Sequence, residues 1–143
     1  MILTDKAVAA IVTEIEKANL IEEKDADAAL AIYLRLWGNL PEPRERQPQQ
    51  IAHWLAGCLF NVYFDTGNYP EAKQWALFGI NHRTAEYSSH EYLQMGMVCY
   101  ELKETESALE YFDMAYQLGK DRAFKGFDKK YLTFYLGKKN IVD

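Results

Sequence analysis

The sequence predicts an all-α fold, and three observations carry that expectation. Apolar residues recur at i, i+3, i+4 and i+7 along most of the chain. Glycine and proline fall between those stretches, where helices stop. No segment alternates with period two for long enough to form a strand.

The elements follow in order. Val8, Ile11, Val12 and Ile15 mark the inner stripe of a first helix, with Thr4 or Asp5 as its cap. Ala26, Ala29, Leu30, Tyr33 and Trp37 mark a second. Asp25 suits its N-cap, Gly38 its left-handed C-terminal residue, and Pro41 keeps the chain from continuing. The stretch from Pro41 to Pro48 is too rich in proline and charge to build a core, so a surface loop is expected. A third helix starts near Gln49, buries Ile51, Leu55, Leu59, Val62 and Tyr63, and ends at Thr66-Gly67-Asn68. A fourth follows with Pro70 in its first turn, where a missing N–H costs nothing, and Ala72, Trp75, Ala76 and Gly79 on one face. Ser88-x-x-Glu91 reads as a capping box for a fifth helix carrying Tyr92, Met95, Gly96 and Cys99. A sixth carries Ala108, Leu109, Phe112, Ala115 and Tyr116 and ends at Gly119. Phe127, Tyr131, Phe134 and Tyr135 predict a last amphipathic helix capped by Gly137.

Short turns force neighbouring helices into antiparallel hairpins. Three pairs are expected, about 4–38, 49–82 and 88–119, with a capping helix about 121–138, all in one domain spanning 1–143. The length of 143 residues fits one domain, and 49% hydrophobic against 26% charged residues excludes disorder over most of it.

The chemistry that composition permits is narrow. A net charge of −5 disfavours a general nucleic-acid binder. Two cysteines, Cys58 and Cys99, make no disulfide framework or zinc site and suit a reducing cytoplasm. No apolar run approaches ~18 residues, so no membrane span is expected, and Met1 to Val12 lacks the basic start of a signal peptide. His53, His82 and His90 have no metal-ligand spacing, no nucleophile elbow or phosphate loop is present, and the glycines are scattered. The expectation is no enzyme, no metal and no cofactor.

Ala72-x3-Ala76-x2-Gly79 superposes on Ala108-x3-Phe112-x2-Ala115 at an offset of 36 residues. Tyr92-x2-Met95-Gly96-x2-Cys99 precedes the second of these. Together they resemble the tetratricopeptide repeat. The likeness is good from Ser88 to Gly119. It is weaker from Gln50 to His82, where Phe60 replaces the family's glycine and Ala76 its aromatic, and the first pair keeps little of it. The resemblance implies a superhelix of αα-hairpins whose first helices line a concave groove.

On the third helix the face away from the inner stripe carries Trp54, Asn61, Phe64 and Asp65. On the fifth it carries His90, Leu93, Gln94, Met97, Tyr100 and Glu101. Aromatic and methionine side chains rimmed by carboxylates suit a protein-binding patch. The resemblance implies that these residues share one surface, which would take a partner with a basic face. Small acidic repeat proteins of this kind are similar to bacterial immunity proteins that neutralise a toxin. An adaptor or secretion chaperone holding a peptide or helix is the alternative. From Lys120 to Asp143 there are 7 basic and 3 acidic residues. That basic tail raises a third possibility, a nucleic-acid-binding regulator, although its aromatic stripe favours a capping helix. A monomer or weak homo-oligomer is expected.

Overall fold

A computed structural model describes residues 1–139 of the chain; the tail residues 140–143, counted above in the basic segment, lie outside the described residues. The fold is all-helical, with no strand among the described residues. Its α-helices are α1 (Asp5–Glu22), α2 (Ala26–Asn39), α3 (Ile51–Asp65), α4 (Tyr69–Asn81), α5 (His90–Glu101), α6 (Thr105–Gly119) and α7 (Lys129–Lys139). Contacts divide the chain into two compact units, Met1–His82 and Arg83–Asp143. The division falls in the connector between the second and third expected pairs.

In the first unit, Thr4 caps α1 by accepting from the Ala7 amide at 3.1 Å, and Asp25 caps α2 by accepting from Ala28 at 3.0 Å. Gly38 does not end α2 in a left-handed turn. The helix runs on to Asn39 and stops at Leu40, which is extended (ψ 129°). Leu40 precedes Pro41, and the proline ring excludes the helical region for the residue before it. The Pro41–Pro48 stretch is more than a surface loop, because its Gln47 is only 3% exposed. The Gln47 amide accepts from Leu3 N at 2.9 Å and donates to the carbonyls of Met1 (2.9 Å) and Pro41 (3.0 Å), tying the N-terminal residues to the loop. The core of this unit gathers Ile15, Ala29, Tyr33, Ile51, Leu55 and Leu59 from α1, α2 and α3.

The turns α3/α4 and α5/α6 are built alike. Asn68 N donates to Tyr63 O (2.8 Å) and Gly67 N to Phe64 O (3.1 Å). Glu104 N donates to Cys99 O (2.9 Å) and Lys103 N to Tyr100 O (3.0 Å). Each is a Schellman turn with a left-handed residue past the helix end, Gly67 (φ 80°) in one and Lys103 (φ 65°) in the other. The 36-residue offset read from the alanines therefore holds for the backbone of the turns as well.

In the second unit, Arg83 organises the approach to α5. Its guanidinium donates to Tyr92 Oη (3.0 Å) and to the carbonyls of Ala85 (3.2 Å), Glu86 (2.9 Å) and Ser88 (2.6 Å). The capping box differs from expectation: Ser89 is the N-cap, and Ser88 Oγ donates to the Glu91 carboxylate at 2.7 Å instead. After α6 the chain makes a 3-10 turn over Lys120–Phe124. The last helix begins only at Lys129, later than expected, because Gly126 (φ 89°) turns the chain between them. Gly137 lies inside α7 and does not cap it.

Candidate functional site

Helix α3 is buried on most of its circumference, with Ile51, Ala52, Leu55, Ala56, Cys58, Leu59, Phe60 and Val62 all inside. At about 100° per residue, Trp54, Asn61 and Asp65 fall within about 40° of one another. All three are exposed, so they form one narrow wet strip along the helix. Trp54 is 38% exposed, unusual for an indole on a helix otherwise so enclosed. Phe64 lies beside the strip, half-buried, stacked on Phe60 (centroids 5.3 Å apart) and edge-on to Tyr69 (5.3 Å). Partial burial of the Asp65 carboxyl raises its pKa above the ordinary value.

The expectation of an open face fails for much of α5. Every residue from Leu93 to Cys99 is buried. Seven consecutive helical positions cover all directions, so no side of this stretch meets water. Leu93, Gln94 and Met97 are interior residues. His90 is exposed at the helix start, its ring 6.3 Å from that of Phe127.

Tyr100 and Glu101 are only partly accessible, because α7 lies over them. The Tyr100 ring meets Tyr131 and Phe134 at 5.3 and 5.1 Å. Tyr131 Oη donates to Glu101 Oε2 at 2.6 Å, and Lys130 Nζ approaches the same oxygen at 2.9 Å. Tyr135 Oη donates to Asp113 Oδ1 at 2.5 Å, with Lys139 Nζ 3.8 Å from that oxygen. Trp54, Asn61, Phe64 and Asp65 belong to one compact unit, and His90, Tyr100 and Glu101 to the other.

Three clusters went unread in the sequence. The buried Tyr33 hydroxyl lies 2.5 Å from Asn19 Oδ1 and 2.9 Å from Glu22 Oε1, with Cys58 Sγ 3.7 Å from Asn19 Oδ1. Burial, and then the Glu22 carboxylate, push the Tyr33 phenol far above its usual pKa, and burial pushes the Cys58 thiol up to about 11. A neutral thiol is a poor nucleophile, so this group is structural. A second cluster stacks Trp37 edge-on against Trp75 (4.8 Å) and Phe78 (5.1 Å), with the Arg44 guanidinium 5.3 Å from the Trp37 centroid. In the third, His53 Nε2 meets the His82 carbonyl, and its buried Nδ1 has no hydrogen-bond partner among the described residues. The helical spacing of Asn19 and Glu22, three residues apart, was the one available signal for the Tyr33 group.

Among the described residues no group of three or more His, Cys, Asp or Glu side chains is placed to hold a metal ion. Nor is any described helix long and apolar enough to cross a membrane. Comparison with family models, with curated proteins and with solved structures finds no match.

Proposed function

We propose that this chain is a non-catalytic protein-binding module built from tetratricopeptide-like helix hairpins. Support for the architecture comes from the repeated Schellman turn at the 36-residue offset. It also comes from the first unit, where α3 packs against both α1 and α2. The observation that carries the binding reading is the exposed Trp54 on the same strip as Asn61 and Asp65. An exposed indole and, about 16 Å further along the same strip, a carboxylate suit a partner with an apolar edge and a basic surface. Within this reading the chain acts in the cytoplasm, where its buried thiols Cys58 and Cys99 stay reduced. The narrower reading is an immunity protein that covers the basic face of a toxin. It rests on the family resemblance and on the net charge of −5.

The test compares the wild-type chain with Trp54→Ala and Asp65→Lys against the product of the adjacent gene. A one-to-one complex is expected by light scattering. Trp54→Ala is expected to weaken it by about 2 kcal/mol, about 30-fold, with helicity by circular dichroism unchanged. Full binding by both variants would refute the site, and absence of a complex would refute the immunity reading. The basic tail is less suited to nucleic acid, since Lys130 and Lys139 pair with Glu101 and Asp113. No gel shift of short DNA or RNA at low salt is expected.

A further inference from the structure

We propose that the α5/α6 surface under α7 is a seat for a basic, tyrosine-bearing helix. In this proposal α7 is its resident occupant, and a partner helix of the same chemistry displaces it. The seat is separate from the Trp54 strip and does not depend on it.

Two carboxylates define the seat, and each is used in the same way. Glu101 receives the Tyr131 phenol and the Lys130 ammonium. Asp113 receives the Tyr135 phenol and the Lys139 ammonium. Between them lie Tyr100 and Phe112, against which Tyr131 and Phe134 pack at 5.1 to 6.0 Å. The occupant is complementary in charge: the segment Lys129–Lys139 carries four lysines and no acidic residue. A helix fits because Tyr131 and Tyr135 are one turn apart and reach carboxylates on two different helices.

Helix α7 has fewer buried residues than α5 or α6. Tyr131 and Tyr135 are its only buried residues among those described. Lys130 and Lys139 keep 44% and 41% of their side-chain surface in water, so salt screens their ion pairs. The chain entering α7 has Lys125, Gly126, Asp128 and Lys129 exposed, and Gly126 (φ 89°) provides a pivot. A segment with few buried contacts and exposed tethers opens locally at lower cost than the core. Opening uncovers two aromatic rings and two carboxylates together.

The test uses the full chain and a fluorescent peptide of residues 120–139 as the probe. Hydrogen exchange followed by mass spectrometry is expected to show α7 exchanging faster than α5 and α6. Raising salt is expected to speed α7 alone. Replacing Tyr131→Phe and Tyr135→Phe together leaves the seat intact and loosens the occupant, so peptide affinity is expected to rise about tenfold as the open fraction grows. Lys130→Ala with Lys139→Ala is the second loosening pair, should the first perturb the aromatic packing. Glu101→Gln with Asp113→Asn is expected to abolish the gain, whereas Trp54→Ala leaves it unchanged. Equal exchange of α7 and α5, or peptide binding indifferent to every substitution, would overturn the proposal. A dimer formed by the loosened variants through exchanged α7 helices would also overturn it, since the seat would then serve a second copy of this chain.

Discussion

Gly96 and Phe112 occupy one another's space. A Cβ atom at residue 96 would lie 2.5 Å from Cδ1 and 2.6 Å from Cε1 of the Phe112 ring. That ring is fully buried, packed against Phe124, Tyr131 and Phe134. In the hairpin 36 residues earlier, the equivalent positions are Phe60 and Ala76, both buried. The large residue has changed helix, and the small one has changed with it.

Gly96→Ala is expected to destabilise the protein by about 1–3 kcal/mol, the usual cost of overpacking a core. Urea denaturation measures it. Adding Phe112→Leu removes the obstructing ring edge, so the double variant should lose less than the sum of the single losses. Strict additivity would show that the two positions do not compete for space.

Lys103 adopts a backbone conformation that its sister turn assigns to Gly67. A side chain with Cβ carries a penalty there of about 1 kcal/mol. Lys103→Gly is therefore expected to stabilise the fold by about 0.5–1 kcal/mol, and Gly67→Ala to destabilise it by a similar amount. Thermal melts of both variants check the sign.

Tyr33 and Tyr135 set an alkaline limit on stability. Burial comes first as the cause of both raised phenol pKa values, followed by hydrogen bonds to Glu22 and Asp113. The folded state holds these protons above pH 10, where the unfolded chain releases them. Stability is thus complete below about pH 10 and falls above it by at most about 1.4 kcal/mol per pH unit per phenol. Tyr33→Phe and Tyr135→Phe should each flatten that slope in denaturant titrations between pH 9 and 11.

Asp65 is expected to trade stability against binding. Its raised pKa means that the folded state disfavours the carboxylate, so the residue's contribution declines as pH rises from about 4 through the raised value. Asp65→Asn should stabilise the free protein slightly at pH 7, by about 0.5 kcal/mol or less, and have no effect near pH 3. The same substitution should weaken capture of a basic partner.

Much of the fold is local, and local features were readable. Apolar spacing located the seven α-helices of the described residues, Asp25 announced the cap of α2, Thr4 was one of two candidates for that of α1, and Thr66-Gly67-Asn68 announced the turn after α3. The structure departs from these expectations once through a near neighbour and once through a distant one. Gly38 has the composition of a terminator, but Leu40, held extended by the next proline, ends the helix. Gln47 reads as loop surface until it meets Met1 and Leu3, more than forty residues away in sequence.

The candidate site divides in the same way. Trp54, Asn61 and Asp65 lie on the wet side of α3, as their helical phase predicts. Leu93, Gln94 and Met97 have an equally plausible phase but lie inside, and α7 covers Tyr100 and Glu101. Helical period depends on backbone geometry within a single turn, which the chain carries in its own letters. Exposure depends on how many other elements surround a helix, and that is settled only when helices distant in sequence compete for the same apolar surface.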